Sequence, residues 1–220
     1  MLAALQTASS TGIDATLERT LDLIGVYVFA LSGGMLAVKH HFDVVGVIAL
    51  SLVTALGGGV VRDLVLGATP PTAFSDVWYL IVPLAAAATV FVANQLIERR
   101  LTTPVLVFDA AGLGLFCATG AVKASALGAS AVGAVLIGVI TATGGGIMRD
   151  VLANEHPQLF QRESRLYAIP AALGATVIVV AWRNGLYSGG VAIATAIGVT
   201  TLRLAALRWG WRAPMPRRSS

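Results

Sequence analysis

Charged residues are scarce in this chain. Asp, Glu, Lys and Arg make up 12% of its 220 residues, where a soluble globular domain carries about 25%. Apolar residues make up 56%, and mean hydropathy is +0.81. These values exclude an ordinary soluble domain and imply an integral membrane protein. Cysteine is nearly absent. Cys117, between Phe116 and Ala118, is the only one, so an intrachain disulfide is excluded and the residue reads as small core filling. Catalytic constellations are also missing. His40 and His41 share a loop, His156 follows Glu155, and none has a metal ligand at the right spacing. No Ser-His-Asp, Cys-His or paired-carboxylate arrangement appears, so neither an enzyme nor a metal or other cofactor is expected. The first sixteen residues hold no Lys or Arg. They lack the order of a secretory signal and read as a flexible leader, 1–16, before an uncleaved span.

In place of charge there are long apolar runs. A helix that crosses a bilayer needs about 20 mostly apolar residues. Seven spans are predicted, at 17–38, 44–66, 76–97, 105–123, 130–153, 166–183 and 188–208. Turn residues separate them, among them His41 to Asp43, Pro70-Pro71, Pro157 and Asn184-Gly185. The short loops imply one compact transmembrane domain, 17–208, followed by a basic tail, 209–220.

The sequence repeats itself. Gly57-Gly58-Gly59-Val60-Val61-Arg62-Asp63 returns 87 residues later as Gly144-Gly145-Gly146-Ile147-Met148-Arg149-Asp150. At the same ungapped offset Asp22 matches Asp109, Gly25 matches Gly112, Phe29 matches Phe116 and Gly33 matches Gly120. Gly46, Thr54, Pro70 and Pro83 match Gly133, Thr141, Pro157 and Pro170. The predicted fold is therefore all-α: two three-helix units, about 20–97 and 105–183, plus an extra helix at 188–208. An odd number of spans per unit inverts the second relative to the first. Lys39, Arg99, Arg100, Arg162, Arg165 and the arginines of the tail would lie on one side. That bias puts the N-terminus outside and the C-terminus in the cytoplasm. The basic tail favours anionic lipids, not nucleic acid, and Trp209 and Trp211 read as interface anchors.

Three consecutive glycines disfavour a helix interior. The second and fifth spans are thus expected to kink or break at Gly57–Gly59 and Gly144–Gly146, where freed carbonyls would replace part of a cation's water shell. The competing reading is close helix packing, which small residues permit. Arg62, Asp63, Arg149 and Asp150 are charges at membrane depth, which are rare and usually functional. Neighbouring helical positions point about 100° apart, so Arg62 and Asp63 are not expected to pair. The pseudo-symmetry suggests instead Arg62 with Asp150 and Arg149 with Asp63, as a lock between repeats or as part of an ion path. Asp22 and Asp109 read as helix-start carboxylates that also draw cations to each pore mouth. Lys39 and Lys123 stand in matching Ala-Val-Lys tripeptides 84 residues apart. Lys39 reads as a snorkelling side chain. Lys123, with few charges expected around it, reads as a candidate gate.

The doubled Gly-Gly-Gly-x-x-Arg-Asp motif in a seven-span chain ending in Leu202-Arg203-Leu204-Ala205-Ala206-Leu207-Arg208-Trp209 resembles the prokaryotic branch of the trimeric intracellular cation (TRIC) channel family. The bacterial group also carries the label of glycine transporter domain. The resemblance implies a homotrimer with a pore in each protomer, kinks at both triplets, and potassium as the main ion with sodium passing less well. It places Gly57, Gly58, Gly59, Asp63, Gly144, Gly145, Gly146 and Asp150 along the ion path. It makes Arg62, Arg149 and Lys123 candidate gating charges. The rival reading is a secondary transporter of a small zwitterion such as glycine, with half-helix N-termini binding the carboxylate.

Overall fold

The computed structural model describes residues 12–97, 102–160 and 166–211. Among these residues all regular structure is helical. Helix α1 is Gly12–Lys39, α2 Val44–Val65, α3 the single turn Thr72–Ser75, and α4 Trp78–Ile97. Helix α5 is Thr102–Ala126, α6 Ala131–Leu152, α7 Ala168–Arg183 and α8 Gly189–Trp209. Five of them (α1, α2, α5, α6 and α8) are long and apolar enough to cross a membrane, while Trp78–Ala93 and Ala168–Arg183 are shorter apolar stretches. The boundaries differ from the expected ones chiefly at α1. Helix already runs from Gly12, so residues 12–16 of the expected leader belong to it. Residues 1–11, Arg99, Arg100, Arg162, Arg165, Arg212, Arg217 and Arg218 lie outside the described residues.

The helices begin where side chains satisfy their first free N–H groups. Asp43 Oδ1 accepts from the Gly46 N–H at 2.8 Å, and Ser130 Oγ accepts from the Gly133 N–H at 3.1 Å. These two caps stand at equivalent positions of the repeat. Left-handed residues close the turns after α2 and α6, Gly67 at φ 69° and Asn154 at φ 56°.

The core lies where α1, α2, α5 and α6 meet. Ser32 Oγ, toward the end of α1, donates to the Val105 carbonyl at the start of α5, while Thr119, toward the end of α5, donates to Asp22 in the first half of α1. The two helices are therefore antiparallel. Phe29 and Phe116 meet edge to face, with ring centroids 5.1 Å apart. Phe29 covers Gly112 and Phe116 covers Gly25, where a methyl group would collide with each ring.

One expectation is corrected here. Neither α2 nor α6 is broken at its glycine triplet, because helix runs uninterrupted through Gly57–Gly59 and Gly144–Gly146. Packing outweighs the low helix propensity of glycine, about 1 kcal/mol per residue. A methyl at Gly58 would overlap the Thr141 carbonyl oxygen, and a methyl at Gly145 would overlap the Thr54 carbonyl oxygen. The middle glycines thus let α2 and α6 cross backbone against backbone.

Candidate ion pathway

Two buried charge clusters flank this crossing, one at the C-terminal end of α2 and one at that of α6. In the first, Arg62 Nε donates to Asp63 Oδ1 at 2.7 Å and Arg62 Nη1 lies 3.5 Å from Asp22 Oδ1. The Tyr79 hydroxyl donates to Asp22 Oδ2 at 2.7 Å, and Thr119 Oγ1 donates to Asp22 Oδ1 at 2.9 Å. Lys123 Nζ donates to Asp63 Oδ1 at 2.7 Å and to Thr72 Oγ1 at 2.8 Å. The other Asp63 oxygen accepts from the Thr72 backbone N–H at 2.9 Å.

The second cluster repeats the plan. Arg149 Nε donates to Asp150 Oδ1 at 2.9 Å, and Nη1 donates to Asp109 Oδ1 at 2.7 Å and Ser32 Oγ at 2.6 Å. The Tyr167 hydroxyl also donates to Asp109 Oδ1, at 3.2 Å. Asp150 Oδ2 accepts from the Gln158 backbone N–H at 3.0 Å. Lys39 does not join this cluster. It pairs with Glu155 at 2.9 Å, alongside His40 at 2.8 Å. Burial raises the Glu155 carboxyl, but the hydrogen bonds from Lys39 and His40 outweigh it and hold the group below its ordinary value.

Four expectations change on this geometry. Arg62 and Asp63 pair with each other, as do Arg149 and Asp150, because the long guanidinium arm folds back to its neighbour. The suggested cross-repeat pairs do not form, since the two motifs lie at opposite ends of the α1–α5 pair. Asp22 and Asp109 are not helix-start caps. They lie inside α1 and α5, and Asp109 is fully buried, so each serves as second carboxylate to an arginine. Lys123 is not isolated, because it bridges Asp63 and Thr72. Sequence reasoning missed Tyr79, Tyr167, Ser32, Thr119 and Arg203. Ser32 and Thr119 stand at the repeat offset and gave a usable signal; the two tyrosines are one residue out of register with it.

Cavities reach both clusters. One of about 270 Å³ is lined by Glu18, Arg19, Asp22, Arg62, Thr72, Tyr79, Thr119, Lys123 and Ala126. It meets a constriction of about 10 Å³ that extends inward to Gly59 and Phe116. A second cavity, about 40 Å³, is lined by Leu36, Lys39, Val105, Leu106, Arg149, Asp150, Glu155 and Gln158. The cavities of about 270 Å³ and about 40 Å³ share no lining residue. They approach from opposite ends, with the α2–α6 crossing and the Phe29–Phe116 pair between them. Of the glycines, Gly59 lines the constriction and Gly146 faces the Tyr167 hydroxyl and Asp109. Gly57 faces Met148, and Gly144 faces Gly58.

The Glycine transporter family model matches residues 19–95 and 106–183. The chain is 39% identical over 209 residues to a UPF0126 membrane protein of Vibrio cholerae serotype O1, covering 94% of this chain and 85% of that one. It is also 39% identical, over 199 residues, to the UPF0126 inner membrane protein YadS of Escherichia coli K12, covering 88% and 93%. Among solved structures, a TRIC cation channel matches with a TM-score of 0.80 at 34% identity, covering 92% of this chain and 98% of that one. The TRIC orthologue from Rhodobacter sphaeroides matches with a TM-score of 0.81 at 35% identity, covering 89% and 99%.

Proposed function

The chain belongs to the trimeric intracellular cation (TRIC) channel family, and we propose that it is a passive channel for monovalent cations, with a pore inside each protomer of a homotrimer. Potassium is the main ion and sodium passes less well. The protein resides in the inner membrane with its N-terminus outside and its C-terminus cytoplasmic, and anionic lipids meet the basic tail. The likeness to cation channels supports a channel rather than an enzyme.

The observation that carries this reading is the pair of buried Asp-Arg-Asp clusters, each facing a cavity from its own end of the molecule. We read them as the two ends of one path in an inverted repeat of seven spans. A charge inside the hydrocarbon region costs at least about 2.5–3.5 kcal/mol on insertion scales, so a purely structural helix pair would not gather this many. Asp63 is covered on the cavity side by Lys123, whose side chain is 29% exposed while Asp63 is 1% exposed. Displacing the ammonium uncovers a carboxylate that attracts a cation. Helical continuity at the triplets bears on the rival carrier. That reading needs half-helix N-termini to hold a substrate carboxylate, and unbroken α2 and α6 offer none there. The glycines then act by permitting α2 and α6 to slide at their crossing.

Vesicles loaded with potassium and reconstituted with the protein test this. Fast, non-saturating efflux is expected, reduced several-fold by Asp63→Asn and by Asp150→Asn. Efflux at the rate of empty vesicles overturns the channel. Unchanged efflux in both variants removes these carboxylates from the path.

A further inference from the structure

The two clusters differ in how their second cation is supplied. Among the described residues the first holds Asp22 and Asp63 against Arg62 and Lys123. The second holds Asp109 and Asp150 against Arg149; the repeat position of Lys123 is Leu36, and Lys39, three residues further on, pairs with Glu155. The missing cation comes from α8, the helix outside the repeat. Arg203 is 1% exposed. Its guanidinium sits over the Tyr167 ring, 4.8 Å from the centroid, and Nη2 donates to Gln158 Oε1 at 2.7 Å. Tyr167 is the residue that donates to Asp109, and Gln158 the residue whose N–H holds Asp150. Arg203 therefore braces both carboxylates, each through one intermediary.

We propose that Arg203 is a positioning residue that straps the second cavity shut, making the α6 end the fixed half of the pathway and the Lys123 end the movable half. The cavity sizes fit this assignment, about 40 Å³ against about 270 Å³. So do the cations: Lys123 is a partly exposed ammonium on a flexible stem, whereas Arg203 is a buried planar fork held by a ring and an amide. Helix α8 packs chiefly on α5 and α7; in the first half, among the described residues, Thr72 is held instead by the partly exposed Lys123. Only the effect on current rests on the channel reading; the strap itself does not.

The test uses full-length protein in vesicles with single reporter thiols, the native Cys117 being buried. Leu106→Cys reports on the second cavity and Ala126→Cys on the first. Arg203→Gln should raise the labelling rate of Leu106→Cys by a charged methanethiosulfonate at least five-fold and leave Ala126→Cys unchanged. Arg203→Lys, which keeps the cation over Tyr167, should restore most of the protection. Potassium currents of Arg203→Gln should show a several-fold higher open probability. No change at Leu106→Cys overturns the strap, and so does an equal rise at both reporters, which is what general loosening would produce. If Arg203→Gln fails to insert, Gln158→Ala removes only the side-chain acceptor and is read by the same two criteria. Altered labelling in a protein that carries no current, wild type included, would leave the strap standing and remove the channel.

Discussion

Alanine at each glycine of the α2 triplet separates packing from local flexibility. At Gly58 the new methyl would meet the backbone oxygen of Thr141 well inside the ~3.5 Å at which heavy atoms make favourable contact. A backbone carbonyl cannot rotate away, so α2 and α6 must separate. Overpacking of this kind costs about 1–3 kcal/mol, and the better helix propensity of alanine returns about 1 kcal/mol. The net loss for Gly58→Ala is then up to about 2 kcal/mol, or a fall of up to about 8 °C in the unfolding midpoint. At Gly59 the nearest atom is the flexible end of Arg62, 3.6 Å away, so the propensity gain stands alone and the midpoint should hold or rise. Gly145→Ala, against the Thr54 carbonyl, should behave as Gly58→Ala does. The double variant should lose less than the sum, since one separation relieves both contacts. Thermal unfolding in detergent gives the order directly. If all three alanines in a triplet stabilise alike, the crossing is not what the glycines serve and the packing account is refuted.

Four further outcomes follow. Arg149→Met leaves Asp109 and Asp150 buried without their cation; removal of one member of a buried pair costs about 3–5 kcal/mol, so monodisperse protein should fall sharply, and wild-type yield would contradict the burial seen here. Lys123→Met should conduct with a shallower voltage dependence, and an unchanged slope excludes Lys123 from gating. Because Glu155 is held below its ordinary value, its bridge to Lys39 is fully present above about pH 4.3 and is lost as pH falls through the lower folded-state value. Thermal midpoints taken across that window should drop in the parent more than in Lys39→Met, and parallel curves would refute the bridge. A protease site at residue 220 should be cut by protease added to inverted vesicles, whose outer surface is the cytoplasmic face, and spared in right-side-out vesicles; the opposite pattern reverses the orientation.

Much of this arrangement was legible in the sequence because duplication writes each contact twice. Asp22 with Asp109, Arg62-Asp63 with Arg149-Asp150, and Phe29 with Phe116 were legible as duplicated positions, though which of them meet was not. The errors have physical causes. The 100° rule describes where a side chain leaves the helix, not where a six-atom guanidinium arm ends, so the Arg62–Asp63 pair was excluded wrongly. The depth of Asp22 depended on where α1 starts, and the apolar pattern begins later than the helix does. Glycine's weak propensity suggested broken helices, but propensity is a local term, and the contacts that override it come from a helix 87 residues away. Arg203 carried a signal of its own, a charge in the apolar α8, yet its partners Tyr167 and Gln158 both lie in the connection between α6 and α7, and no spacing rule joins them.

A planar bilayer with a potassium gradient measures the central claim most directly. The account predicts discrete unitary currents that reverse near the potassium equilibrium potential and fall in Asp63→Asn. A silent bilayer, together with saturable uptake of labelled glycine by the same preparation in liposomes, would contradict it and establish a carrier.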